Sequence, residues 1–183
     1  STPLYSSAAA DVYKSQAGSE RMRILSSGNV GIGTTSPLST LDVAKAQPIL
    51  SISSYAAAAS TTGVLIFNSS TNATVGSHTA VDAGDHLGII DFKGSDGNSF
   101  ETGARIMAVA DETFVNGSEF GSYLSFHTVD IGTSTLDERL RIDHNGRVGI
   151  GTTAPDARLH VKGSNAEEYI VVESTDSGDG IAT

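Results

Sequence analysis

The residues Gly28-Asn-Val-Gly-Ile-Gly33-Thr34-Thr35 stand one substitution away from the phosphate-binding pattern G-x-x-x-x-G-K-[ST]. That pattern works because a lysine and the dipole of a following helix hold the anion. Here Thr34 occupies the lysine position and Pro37 follows where a long helix should start, so both contributions are missing. Gly31-Ile-Gly33 also fails the dinucleotide fingerprint, whose third glycine falls on Ser36. The five histidines, His78, His86, His127, His144 and His160, show neither HxH nor HExxH spacing. Asp82, Asp85, Asp91, Asp96 and the run Asp176-Ser-Gly-Asp179-Gly match no EF-hand loop and read as turn residues. Asp111/Glu112, Asp137/Glu138 and Glu167/Glu168 are adjacent pairs, and neighbours on a strand point to opposite faces instead of converging on a glycosidic bond. No G-x-S-x-G elbow occurs. No catalytic residue, cofactor or metal is therefore assigned, and the chain reads as a non-enzyme.

Composition excludes further classes. With 11 Lys+Arg against 21 Asp+Glu among 183 residues, the net charge is −10 and the cations are scattered. Nucleic acid needs a positive field, so it is a poor partner. The runs Val64-Leu65-Ile66-Phe67 and Leu87-Gly88-Ile89-Ile90 are far short of the ~20 residues of a membrane-spanning helix, so no membrane insertion is expected. Without cysteine there is no disulfide framework. Hydrophobic residues make up 38%, which leaves a thin core for one chain, and 20 glycines with abundant Ser and Thr favour short strands and many turns. The chain opens at Ser1 without an initiator methionine or a signal-peptide pattern, as expected of a piece of a longer protein.

The chain repeats itself once. At an offset of 118, Glu20 to Val43 aligns without gaps on Glu138 to Val161, and 14 of 24 positions are identical. A period this long implies tandem domains strung end to end. Arg21-Met-Arg-Ile24 and Arg139-Leu-Arg-Ile142 alternate with period two, placing Met or Leu with Ile on one strand face and the arginines on the other. Glu20 and Glu138 read as partners of those arginines. Asn145-Gly146 marks a hairpin turn, and Val30-Gly-Ile-Gly33 and its copy return as a second strand. Thr35 or Thr153 is placed to cap one helical turn before Leu41-Asp-Val43 or Leu159-His-Val161 resumes extended chain. Three chains on an axis would gather a lone His160 or His144 into a cluster, but the repeat-equivalent positions are Asp42 and Ser26, so the framework requires no metal there.

Glycine at alternate strand positions costs packing and backbone entropy, so something must need the room. The two readings are close approach of another backbone or a ligand pressed onto the strand; the recurrence of the pattern favours the first, so Gly31, Gly33, Gly149 and Gly151 are candidates for inter-chain packing, with a strand of a neighbouring chain approaching closely. Between the copies, Leu87–Phe92, Ala104–Ala110 and Tyr123–Thr128 read as an antiparallel meander. The loops 68–78 and 111–120 are the places where a partner would touch. Phe114 and Phe120 in the second loop are candidate receptor contacts or covers for the sheet end. The expected domains are 1–45, the end of one repeat; 46–137, an inserted antiparallel β-domain; 138–163, the second hairpin element; and 164–183, the start of another repeat.

The pattern ERxRI followed by VGIGTTxP, present twice, resembles the "ERMRI…GNVGIGTTSP…LxV" element of bacteriophage tail fibres and related virion appendages. Gly84-Asp-His-Leu-Gly-Ile-Ile-Asp-Phe-Lys-Gly-Ser-Asp-Gly, Gly103-Ala-Arg-Ile-Met-Ala and Leu124-Ser-Phe-His-Thr are similar too. The resemblance covers most of 84–163 and 20–43, and it implies an all-β, elongated homotrimeric fibre segment. It further implies an extracellular place on the virion, other tail proteins as partners, and attachment to a host surface glycan or protein. Longer members often end in an intramolecular chaperone domain of the endosialidase type, which is not recognised here, so a shaft or mid-fibre slice is expected. The alternatives are a non-catalytic carbohydrate-binding module, or a tailspike that degrades polysaccharide.

Overall fold

A computed structural model describes residues 12–16, 19–53 and 63–163, and for 12–16 and 19 the backbone only. The chain divides into two units, 1–65 and 66–183. The described residues are all β, with no helix among them. None is therefore long and apolar enough to cross a membrane.

In the first unit, β1 (Val12–Gln16), β2 (Ser19–Ile24), β3 (Val30–Ile32) and β4 (Leu41–Val43) form one sheet in chain order. β1, β2 and β3 pair antiparallel, whereas β4 runs parallel to β3. The second unit is a six-stranded sheet of β5 (His86–Ser95), β6 (Phe100–Ala110), β7 (Ser122–Val129), β8 (Leu136–Ile142), β9 (Val148–Ile150) and β10 (Leu159–Val161). Its first five strands are an antiparallel meander, and β10 again lies parallel to β9. The triplets β2–β3–β4 and β8–β9–β10 are thus the sequence repeat in three dimensions. The boundary placed between 137 and 138 falls inside β8, which pairs with both β7 and β9, so the sheet runs through it without a break.

The alternation read from the sequence sets the faces. Met22 pairs with Ile32 and Ile24 with Val30, while Leu140 pairs with Ile150 and Ile142 with Val148. Arg141 lies on the opposite face, beside Gly149 and Ser125. Arg139 departs from that expectation. The register slips there, and such a bulge re-aims a side chain, here onto Thr128 Oγ1 at 3.1 Å and Asp130 Oδ1 at 2.6 Å. β1 and β2 slip at the equivalent place, next to Arg21.

Turn chemistry joins the strands. The Asp96 carboxylate accepts from the backbone N–H groups of Asn98 and Ser99, both at 2.7 Å, closing β5 onto β6. Asp143 does the same for Asn145 at 2.9 Å and Arg147 at 2.8 Å, with Gly146 at φ 72° completing the β8–β9 hairpin. Buried apolar side chains are few: Val81, Val109 and Ala110, with Pro37 and Pro155, among the described residues.

Candidate functional site

The four framework glycines sit where the chain crosses over itself. β4 runs parallel to β3 after only the stretch 33–40, so the chain must fold back tightly over the strand it has just left. A Cβ on Gly31 would lie 2.6 Å from Thr34 O and 3.5 Å from Pro37 Cδ; one on Gly149 would lie 2.5 Å from Thr152 O. Pro37 and Pro155 are buried by the same fold. Gly33 and Gly151, at φ 77° and 70°, turn the chain with the carbonyls of Ala44 and Lys162 packed against them. Within one chain, the close approach that these glycines allow is made by the crossover.

The crossover contains no helical turn. Instead of a cap at Thr35 or Thr153, the preceding hydroxyl accepts a bond two residues on: Thr34 Oγ1 from Ser36 N at 3.1 Å, and Thr152 Oγ1 from Ala154 N at 3.3 Å. The strand that imitates a phosphate cradle has its N–H groups engaged. Val30 donates to Thr40 O and Gly33 to Arg21 O. A latch closes each crossover. Asp42 Oδ2 accepts from Leu38 N at 3.0 Å, and the equivalent His160 Nδ1 accepts from Asp156 N at 3.4 Å.

The acidic residues are bound up in pairs. Glu20 with Arg23 and Glu138 with Arg141 form two-point ion pairs at 2.6–2.8 Å, as the repeat led us to expect. Arg141 also stacks over the Tyr123 ring, 3.7 Å from its centroid. Asp91 makes a two-point pair with Arg105, whose hydrogen bonds hold the carboxyl below its usual range. Asp111 bonds His144, whereas its neighbour Glu112 accepts from Gly121 N at 2.6 Å. Asp137 reaches Arg139, away from Glu138. Glu167/Glu168 and Asp176/Asp179 lie outside the described residues. Among those described, no three His, Asp or Glu gather as a metal would need. His127, bonded to the buried Ser125 hydroxyl at 2.9 Å, has its pKa lowered, first of all by burial.

Phe114 and Phe120 do meet. Their rings stand edge to face with centroids 5.5 Å apart. Phe114 is half-buried, and its N–H donates to Val81 O at 3.0 Å; Phe120 is 56% exposed. Together with Ser69, His78, Thr79 and Asn116 they line an open cleft of about 480 Å³. The other wall is a loop organised by Ser70, whose hydroxyl accepts from the N–H groups of Asn72 and Thr79. The sequence marks the two rings and both loops but not the cleft, because nothing in 68–80 shows that it folds against 111–120.

The arrangement of strands is matched by solved structures. The carboxy-terminal domain of the bacteriophage T5 L-shaped tail fibre superposes with a TM-score of 0.57 at 14% identity, over 88% of this chain and 68% of that one. This chain has the fold of a tail-fibre domain. The same T5 domain with its intra-molecular chaperone domain gives a TM-score of 0.57 at 16% identity, over 87% of this chain. This chain spans about half of that longer one, at 48%. No family model matches the chain, and no curated protein matches it.

Proposed function

We propose that this chain is a non-catalytic structural segment of a bacteriophage tail fibre, a homotrimer on the virion that carries β-domains toward the host cell. The observation that carries this reading is the T5 tail-fibre fold over 88% of the chain. The duplicated ERxRI and VGIGTTxP framework supports it, since a repeated element suits a fibre built of tandem units. The partners are two further copies of the chain and the neighbouring tail proteins. An antibody raised against the fragment should label the tail in electron micrographs of virions that carry it. Label confined to the head, or to host cells, overturns the reading.

Host attachment belongs to the cleft between loops 68–80 and 111–121. It offers the exposed Phe120 ring for stacking and Asn116, Ser69 and Thr79 for hydrogen bonds, a combination suited to a host-surface glycan. Binding of the purified protein to a glycan array, reduced by Phe120→Ala, is the expected result.

A further inference from the structure

The framework sheet has two unlike faces, and only one of them is covered. The glycine face lies beneath the crossover, where Pro37 and Pro155 are buried. The opposite face of β2–β3–β4 carries Met22, Ile24, Val30, Ile32, Leu41 and Val43, paired across the strands in a grid of two by three. Leu140, Ile142, Val148, Ile150, Leu159 and Val161 form the same grid in β8–β9–β10. Within the chain Ile32 is 41% exposed and Ile150 40%, and Leu41 and Leu159 are more exposed still. Single exposed apolar residues need no explanation, but a contiguous apolar patch does.

Three observations say what covers it. The grid has no polar or charged side chain, so it offers nothing to orient a sugar or an ion. Five of its six positions are identical between the copies, Met22 against Leu140 being the exception, and the copies recur at an offset of 118 residues. An occupant that suits one grid therefore suits the other, and a second copy of this chain presents the matching apolar pattern twice. The patch is also larger than one grid. In the second unit Leu124 pairs with Ile142 and Phe126 with Leu140, then Ile106 with Phe126 and Ile90 with Ile106, so the apolar face continues from β10 to β5, where the chain's own Phe67 packs over Gly88. One grid of six side chains is small against the roughly 800 Å² per partner of a standard interface, and the continuous face extends it.

We infer that these grids are where copies of this chain pack together, in register, each grid covered by its equivalents. The inter-chain contact thus lies on the face opposite Gly31, Gly33, Gly149 and Gly151. This rests on the homotrimeric reading above, and the test separates the two. The chain contains no cysteine, so Ile32→Cys, Ile150→Cys and the control Thr153→Cys each place one thiol at a known position. Light scattering reports the assembly, and the rate of labelling by a soluble thiol reagent reports the face. A trimer in which the thiols at 32 and 150 react at least about tenfold more slowly than the one at 153 is expected, because reactivity follows exposure. A trimer with rapid labelling at 32 and 150 overturns the assigned face and leaves the homotrimer standing. A monomer with rapid labelling overturns both. Slow labelling in a monomer places the chain's own residues over the grid and overturns the assignment to a second copy. Ile150→Asp gives an independent reading: it should abolish the trimer, and a trimer that survives it contradicts the inference.

Discussion

At the scale of the residue, Gly149 shows what a missing side chain makes room for within one chain. Alternating glycines imply that something approaches closely; they do not reveal whose backbone it is. Gly149→Val would place a Cβ 2.5 Å from Thr152 O, and backbone cannot swing aside as a flexible side chain does. The expected cost is about 1–3 kcal/mol, the ordinary range for overpacking. It should appear as a lower melting temperature with assembly retained at low temperature, because the strain is within one chain. His127 makes a second prediction. Burial lowers its folded pKa below the ordinary 6.5, so the unfolded chain takes up the proton first as pH falls. Stability is thus full above pH 6.5 and is lost as pH falls through the folded value. Melting curves between pH 7 and pH 5 should show this decline, flattened in His127→Gln. An unchanged slope in that variant would assign the decline to other groups.

At the scale of the element, the meander was legible and the crossover was not. The strands in 86–129 carry apolar alternation and are bounded by Asp96-Gly97 and by the polar loop at 111, so length and period locate them. β4 and β10 were read as extended chain, but their parallel pairing depends on a crossover that no periodicity reports. The bulges next to Arg21 and Arg139 are equally silent in sequence, since one slipped residue leaves the pattern of types intact. Glu138 and Arg141 were legible because the same pair recurs at Glu20 and Arg23. Asp143 shows what the repeat hides. It stands where the first copy has Leu25, and only the second hairpin has a carboxylate accepting two backbone N–H bonds. Asp143→Ala should lower the melting temperature by leaving those donors to water, with Asp143→Asn recovering most of the loss. Thermal melts of the two variants check the order.

At the scale of the whole molecule, the proposed fibre role would divide between the cleft and the apolar grids: uncovered apolar faces suit assembly, and loops with exposed rings suit recognition. The two phenylalanines test that division because they differ in burial while touching each other. Phe114 is half-buried and tied through its backbone to Val81, so Phe114→Ala should lower the melting temperature. The expected cost is about 1–3 kcal/mol, less than the 3–5 of a fully buried ring. Phe120 presents more than half its surface to water, so Phe120→Ala should leave the melting temperature close to that of the parent. The same variant on an intact virion should adsorb more slowly to its host. Were Phe120→Ala to melt as early as Phe114→Ala, the edge-to-face pair would be a cover for the sheet end, and the attachment surface would have to lie elsewhere. Slower adsorption at unchanged stability is the outcome that ties the cleft to recognition.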